Sequence, residues 1–165
     1  LDKNRKKEVK VLDMGSGSGI QAETCLKAGI PNKNIIAVDI NSESIKHIKG
    51  LNLGIKAIKS DLFSKLNKKT KFDLIIFNPP YLPENKYDKM KDTTGGKKGD
   101  ETIISFVKQL KPYLSKKGVC FLLTSSLTPE LIWKNEAKRQ NLEVKKIVTR
   151  NLFQEELYVW KIKSL

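Results

Sequence analysis

The stretch Phe72-Asp73-Leu74-Ile75-Ile76-Phe77-Asn78-Pro79-Pro80-Tyr81 joins an apolar run to an abrupt stop. The run predicts a buried strand that begins at Phe72 and ends at Asn78. The strand cannot continue through two prolines, and Pro79 also biases Asn78 toward an extended backbone. The result is a stiff corner at a strand end, and it carries a carboxamide, a free carbonyl and an aromatic ring.

This corner suits a flat, weakly nucleophilic NH2 group. The side-chain oxygen of Asn78 and the backbone carbonyl of Pro79 can each accept one of its hydrogens. The ring of Tyr81 can stack on its plane. A simpler interpretation is that Asn-Pro-Pro only terminates the strand. The rest of the sequence is therefore needed to distinguish a binding site from a simple strand terminator.

Apolar runs alternate with helical patterns along the chain, which predicts a doubly wound α/β sheet. Ser42 is a candidate helix cap. The last two strands follow each other without a helix, so they should pair as an antiparallel hairpin. We expect seven strands, mostly parallel, in a Rossmann-like sheet within one domain over residues 1–165. The predicted strands are 9–14, 34–40, 55–59, 72–78, 118–124, 142–149 and 157–162, and the predicted helices are 20–28, 42–53, 101–114 and 129–140.

The composition excludes several classes of protein. No stretch approaches the ~20 apolar residues of a membrane span, and the charged first ten residues lack the apolar core of a signal peptide. Cys25 and Cys120 have neither metal nor redox spacing, so we expect no metal site and two reduced core thiols. These features predict a cytoplasmic protein.

The formal net charge is +14, from 32 basic and 18 acidic residues. Such a charge is typical of a nucleic-acid surface. Only three of the basic residues are arginine, although proteins that read bases favour the arginine fork. The lysines are also spread along the chain. An AT-rich genome, or an acidic or RNA-bound protein substrate, would explain the same composition.

A glycine-rich loop, Asp13-Met14-Gly15-Ser16-Gly17-Ser18-Gly19, follows the first predicted strand. Its glycines permit a tight turn and let a ligand approach the backbone. The spacing differs from the dinucleotide fingerprint, and no Gly-Lys-Ser/Thr follows as in a P-loop. Alone, the loop is compatible with a dinucleotide, with S-adenosylmethionine or with a plain turn.

Carboxylates end the next two strands. Asp39 is placed to accept hydrogen bonds from both ribose hydroxyls, and Asp61 to accept from an adenine amino group with Leu62 packed on the ring. Each has a simpler role as a strand-end acid or a cap. Parallel strands present their carboxyl ends at one edge, so this row and the Asn78 corner should meet there.

Together these motifs resemble class I S-adenosylmethionine-dependent methyltransferases, and within them the release-factor glutamine methyltransferase (HemK/PrmC-like) family. The segments Ser125-Ser126-Leu127-Thr128 and 152–159 resemble its archaeal and eukaryotic branch, which lacks the helical N-terminal domain of bacterial members. The resemblance runs from about Val9 to Ile162. It implies transfer of a methyl group from S-adenosylmethionine to the glutamine of a Gly-Gly-Gln motif, which leaves S-adenosylhomocysteine.

The resemblance also implies roles for individual residues. Asn78, Pro79 and Tyr81 would be catalytic, and together with Pro80 they would bind the substrate amide. A small zinc-binding activator subunit is a further expected partner, besides the release factor itself. The residues expected to hold the cofactor are Asp13, Gly15, Ser16, Gly17, Asp39, Ile40, Ser60, Asp61, Leu62 and Asn78.

Two features depart from the family pattern. Lys98 stands in Gly95-Gly96-Lys97-Lys98-Gly99 where the family has an acidic or amide residue. These glycines lie in the segment 83–100, which is too long for a passive connection and predicts a substrate loop or lid. The second departure is that nothing like the Glu-Pro segment of the family precedes Val9, so we expect the sequence to lack that N-terminal part.

Two other function classes remain open at this point. An adenine-N6 methyltransferase acting on DNA or RNA would use the same clamp on a planar NH2 after base flipping. The net charge favours it, whereas the lack of a separate target-recognition domain disfavours it. The third class is an inactive cofactor-binding assembly subunit, which the complete clamp disfavours.

Overall fold

The structure is a computed structural model, and it describes residues 8–80 and 99–165. Seven strands form a single sheet in the order β3-β2-β1-β4-β5-β7-β6. Strands β1 to β5 pair in parallel, and β7 is antiparallel to both of its neighbours, β5 and β6. The predicted mostly parallel, doubly wound sheet with a C-terminal antiparallel hairpin is therefore confirmed. The strands are β1 Val11–Met14, β2 Ile35–Asp39, β3 Lys56–Lys59, β4 Phe72–Phe77, β5 Leu114–Ser125, β6 Leu142–Asn151 and β7 Glu156–Ser164.

Four α-helices lie within the described residues, each where the sequence predicts one. Two short 3-10 turns, Asn32–Asn34 and Lys111–Tyr113, connect helices to strands. None of the helices in 8–80 and 99–165 is long and apolar enough to cross a membrane. The helices are α1 Ile20–Lys27, α2 Ser42–Gly50, α3 Glu101–Leu110 and α4 Leu131–Arg139.

Helices cover the two faces of the sheet because its inner strands are apolar on both faces. On one face α1 packs Ala22 and Cys25 against Val11 and Ile35. On the other face α3 and α4 pack against the larger core cluster, which includes Trp133 of α4. Both cysteines are buried and free, as predicted. The buried side chains of α3 are Ile103, Phe106, Val107 and Leu110.

The join between α3 and β5 differs from the prediction. The helix ends at Leu110 rather than Leu114, and Pro112 lies in the following 3-10 turn. Proline at this position cannot donate the next helical hydrogen bond. β5 then starts early, because Leu114 already pairs with Phe72 ahead of an irregularity in the register.

The predicted cap of α2 was wrong by one residue. Asn41, not Ser42, precedes the helix with extended backbone angles, and its Oδ1 accepts the backbone N–H of Glu43 at 2.9 Å. Ser42 is already the first helical residue. Both residue types cap helices well, so the choice depends on which one keeps the extended backbone.

The topology collects strand ends at one edge of the sheet, which we call the carboxyl edge. It receives the last residues of the parallel strands, including Met14, Asp39 and Phe77. Since Ser125 pairs with Leu157 at the start of antiparallel β7, the hairpin turn between β6 and β7 lies there as well. The carboxyl edge is where open α/β sheets bind ligands.

Candidate active site

The glycine loop turns sharply between β1 and α1. Gly15 has φ of 60° and Gly17 has φ of 51°, in the left-handed region that side chains rarely adopt. A Cβ added at Gly17 would meet no atom within 4 Å. This glycine therefore faces open space and leaves its backbone accessible to a ligand.

Ser16 fastens this loop to two strands. Its backbone N–H donates to the carbonyl of Val38 at 2.9 Å. Its hydroxyl lies 2.8 Å from the carbonyl of Asp13 and 3.1 Å from that of Val38. Both hydrogen bonds of the Ser16 hydroxyl stabilise the loop. Ser16 would therefore contribute to ligand binding by fixing the conformation of the loop.

Asp39 lies beside the glycine loop at the end of β2. Its Oδ2 accepts the N–H of Gly17 at 2.7 Å, and its Oδ1 accepts the N–H of Asn41 at 2.8 Å. Each carboxylate oxygen has a second lone pair. These bonds orient the carboxylate, so that a ligand hydroxyl would meet acceptors already in place. Its neighbour Ile40 is 45% exposed at the same edge.

Asp13 is the most perturbed group of the site. The residue is 1% exposed, and its Oδ2 accepts the N–H of Ala22 at 3.1 Å. The pKa of Asp13 is raised to about 7, mainly because burial disfavours the charged form. The Ala22 hydrogen bond lowers this pKa, and the negative charge of Asp39 adds to the rise. A buried carboxylate in this state would be relieved by a cationic ligand.

The third strand end forms a tight turn. The hydroxyl of Ser60 donates to the carbonyl of Leu62 at 2.9 Å and accepts the N–H of Lys65 at 3.0 Å. Leu62 has φ of 45°, which is unusual for a residue with a side chain. Asp61 is exposed. Ser60 therefore shapes the turn that presents Asp61 and Leu62, and such local strain is typical of functional sites.

The Asn78 corner lies directly next to the glycine loop. Met14 pairs with Phe77, so β1 and β4 end side by side. A Cβ added at Gly15 would lie 3.1 Å from Cε2 of Phe77 and 3.9 Å from the carbonyl oxygen of Asn78. A side chain at Gly15 would therefore crowd the ring of Phe77 and would also strain the backbone, because φ lies in the left-handed region.

The corner residues differ in exposure. Asn78 is exposed, Pro79 is buried and Pro80 is half-buried. The carboxamide thus faces outward from an anchored turn. Tyr81, the segment Gly95-Gly96-Lys97-Lys98 and nearly all of the predicted lid over 83–100 lie outside the described residues, so these predictions stay open.

A cavity of about 310 Å³ opens beside the corner, and Asn78 is part of its wall. The other wall residues are mostly apolar. They come from α1, β4 and all three strands of the antiparallel part of the sheet, namely Gln21, Ile76, Phe77, Phe121, Leu123, Ile147 and Val159. An apolar hollow beside a polar group is the usual form of a binding site.

The individual roles predicted for these residues remain predictions, but their positions agree with one site. The reasoning from motifs gave no positioning role to Ser125 or Glu155, which join the β5 end to the hairpin turn. Two features of the sequence could have indicated these positions: a serine directly after an apolar strand, and an aromatic residue, Phe153, between two predicted strands. In the structure Phe153 is exposed.

The sequence profile of the methyltransferase small domain matches residues 1–130. The chain belongs to this family. A putative protein N5-glutamine methyltransferase of Methanocaldococcus jannaschii is 39% identical over 143 residues, which are 81% of this chain and 71% of the relative. A release factor glutamine methyltransferase of Fusobacterium nucleatum is 37% identical over 86 residues, which are 49% of this chain but only 24% of the relative.

Solved structures confirm the methyltransferase fold. The Mtq2–Trm112 complex of E. cuniculi, responsible for methylation of the termination factor eRF1, matches with a TM-score of 0.75 and 22% identity, covering 99% of this chain and 92% of that one. A T. thermophilus 16S rRNA N2 G1207 methyltransferase, solved with AdoMet and guanosine, matches with a TM-score of 0.66 and 19% identity, covering 96% and 38%.

These comparisons confirm the family resemblance found in the sequence. The family is shown by sequence, whereas the two structures, below 25% identity, show the shared fold. The methyltransferase small domain of this chain thus provides the frame in which the site residues can be interpreted.

Proposed function

We propose that this protein transfers a methyl group from S-adenosylmethionine to the side-chain nitrogen of glutamine in the Gly-Gly-Gln motif of a peptide chain release factor. The observation that carries the proposal is the contact between the glycine loop and the Asn78 corner. A cofactor held by the loop would present its methyl group at the corner, where an amide is clamped. The names of the two curated relatives support glutamine as the acceptor.

The residues present fit this cofactor. The backbone at Gly17 is open, and Asp39 offers oriented acceptors for ribose hydroxyls. The buried carboxylate of Asp13 suits the positive charge at the methionine end. Asp61 and Leu62 would hold the adenine. S-Adenosylmethionine would supply an electrophilic methyl group on a sulfonium, so no covalent enzyme intermediate is needed.

The chain's part in the reaction is alignment and charge control. An amide nitrogen is a poor nucleophile because its lone pair is delocalised into the carbonyl. The Asn78 side-chain oxygen and the Pro79 carbonyl would each accept one N–H, which orients the nitrogen and raises its electron density. Methyl transfer would form an N–C bond and break the S–C bond of the cofactor, and one of the two N–H protons would pass to water. The products are N5-methylglutamine and S-adenosylhomocysteine.

Three wider properties belong to the same proposal. Residues 1–165 would form one catalytic domain, which the single seven-stranded sheet supports. The protein would act in the cytoplasm, where translation terminates. A small zinc-binding activator would bind it, and the support is the resemblance to the Mtq2–Trm112 complex in fold.

A nucleic-acid amino group is the second candidate acceptor. The charge of +14 favours it, as does the fold shared with the 16S rRNA methyltransferase. It would present the same planar NH2 to Asn78.

The experiment that decides between the acceptors uses cofactor with a labelled methyl group. The chain is incubated with a release factor, with its Gly-Gly-Gln glutamine changed to alanine, with DNA and with RNA. We expect label on the intact release factor only. Label on nucleic acid alone would replace glutamine by the second candidate.

A further inference from the structure

Four exposed apolar side chains lie on the part of the carboxyl edge that the proposed chemistry does not use. We call them the apolar rim: Leu127, Leu131, Leu152 and Phe153. Phe153 is 97% exposed, Leu131 72%, Leu127 53% and Leu152 43%. A group of large apolar side chains in water marks an interaction surface more often than isolated ones do.

Hydrogen bonds tie the segment that carries Leu127 to the hairpin turn that carries Leu152 and Phe153. The hydroxyl of Ser125, which is 0% exposed, donates to the carboxylate of Glu155 and accepts the N–H of Leu127 at 3.1 Å. Ser126 and Glu156 exchange two further bonds, from Ser126 N–H to the Glu156 carbonyl at 2.8 Å and from Glu156 N–H to the Ser126 hydroxyl at 3.0 Å. The β5 end and the hairpin turn are therefore held together.

The hairpin turn carries Phe153 in a defined shape. The N–H of Leu152 donates to the carbonyl of Glu155 at 2.8 Å, which closes the turn around Phe153 and Gln154. An aromatic side chain on a preorganised turn loses little conformational freedom when it binds, which makes it an effective anchor.

The rim is continuous with the candidate active site. β5, which leads to Leu127, pairs with β4, which leads to Asn78. The cavity beside Asn78 is walled by Leu123 of β5, Ile147 of β6 and Val159 of β7. An apolar surface thus runs from the amide corner across the strands that carry the hairpin turn.

We propose that the apolar rim docks the polypeptide that carries the target amide, with Phe153 as its principal anchor. The inference rests on the proposed function. A glutamine within a protein brings flanking side chains, and these need a surface beyond the corner that holds the amide. Apolar contacts at one side of the corner would seat them and set the direction in which the polypeptide enters.

The apolar character favours a polypeptide over a nucleic acid at this surface. Nucleic-acid contacts are made mostly to phosphates and call for cationic or hydrogen-bonding groups. The four rim side chains provide neither. A rim that binds protein also leaves the dispersed lysines of the chain free for other contacts.

The test compares Phe153→Ala with Leu165→Ala in steady-state methyl transfer to a release factor. Leu165 is 83% exposed and follows β7 at the opposite edge of the sheet, so it is a matched control. We expect Phe153→Ala to raise KM for the release factor about tenfold, as for an interface anchor. The kcat, the cofactor affinity and the unfolding temperature should stay close to those of the parent chain. Phe153→Leu should lie between, and Leu165→Ala should change nothing.

An unchanged KM in Phe153→Ala overturns the docking proposal. So does a loss of self-association in sedimentation without a change in KM, since the rim would then join two copies. If the parent chain methylates no release factor, the proposed function fails by itself. Calorimetric binding of the release factor to the same variants then tests docking separately, and equal affinities would reject it.

Discussion

The two halves of the sheet use the same edge in different ways. In the parallel half, β1 carries Asp13 next to its end and β2 ends in Asp39, and each carboxylate accepts a backbone N–H from α1 or from the glycine loop. In the antiparallel half, the end of β5 and the turn before β7 form a hydrogen-bonded frame that holds exposed apolar side chains. In our proposal the first half would hold the small polar cofactor and the second half would hold the polypeptide substrate. Asn78 lies where the two halves meet.

One edge of the sheet could in this way bind two different ligands. Parallel strands repeat the same end, so they place successive loops in a row against one extended molecule. An antiparallel strand reverses the direction and brings a hairpin turn to the edge instead. In the proposed arrangement, the loops after β1, β2 and β3 would face the cofactor, and the end of β5 with the hairpin turn before β7 would face the polypeptide. Variants on either side should separate the two functions.

The largest effect is expected at the meeting point. Asn78→Ala removes the carboxamide acceptor, and we expect kcat to fall about a hundredfold or more, as when a transition-state hydrogen bond is lost. Cofactor affinity should hold within about twofold. Asn78→Asp keeps an acceptor oxygen and should retain more activity than the alanine variant. Single-turnover transfer and calorimetry measure both quantities, and an equal loss of both would place Asn78 in the cofactor half instead.

Asp13→Asn should separate cofactor binding from stability. The pKa of Asp13 is about 7 when folded, against 3.8 for the free side chain, so the folded state binds the proton more tightly. Between pH 3.8 and about 7 the unfolded chain loses this proton while the folded chain keeps it, so the free energy of unfolding falls as pH rises. The stability lost over this range does not return above pH 7. Asparagine does not ionise, so the variant does not lose this stability at high pH. At about pH 8 we therefore expect its free energy of unfolding to exceed that of the parent chain by roughly 1–3 kcal/mol.

The same variant should bind the cationic cofactor more weakly, since it lacks the carboxylate. Denaturant unfolding across the pH range measures the stability, and calorimetry measures the affinity. A variant that is less stable than the parent chain at high pH would contradict the raised pKa of the buried Asp13.

Asp39→Ala should act on the cofactor half alone. It leaves polar partners unpaired, so we expect cofactor affinity to weaken by roughly 1–3 kcal/mol. The KM for the release factor at saturating cofactor should change little. Calorimetry that finds the parent affinity would remove Asp39 from the site.

The smallest effect is expected at the frame of the other half. Ser125→Ala removes two hydrogen bonds from a buried position, and we expect a loss of about 1–2 kcal/mol of stability with a higher KM for the release factor. Ser115→Ala is the control, because it also loses a bond, to Asp73 at 2.6 Å, but lies near the start of β5. The Ser115 variant should lose stability without a change in KM. If the two variants have the same KM for the release factor, the hydrogen bonds of Ser125 do not contribute to substrate binding.

The sequence predicted the parallel half well because its signals are local. Apolar runs, glycines and the carboxylates Asp13 and Asp39 follow one another within each β-α unit, so spacing alone placed them on one edge. The Asn78 corner was expected at the same edge as these residues, and the close approach of Gly15 to Phe77 agrees with that. Boundaries shifted where local signals compete, as at Pro112, and at Asn41 beside Ser42.

The properties of the antiparallel half depend on contacts between distant residues. The bond from Ser125 to Glu155 spans 30 positions, and no spacing rule links the two. The raised pKa of Asp13 arises mainly from burial. Burial depends on the packing of the whole fold, so it could not be predicted from the residues near Asp13 in the sequence. The left-handed backbone of Leu62 likewise follows from the turn that Ser60 closes.

Tandem mass spectrometry of a release factor after reaction with this chain and S-adenosylmethionine tests the proposed function most directly. We expect one added methyl group on the glutamine nitrogen of Gly-Gly-Gln, and none with the Asn78→Ala variant. A methyl group on any other residue, or on nucleic acid present in the same mixture, would contradict it.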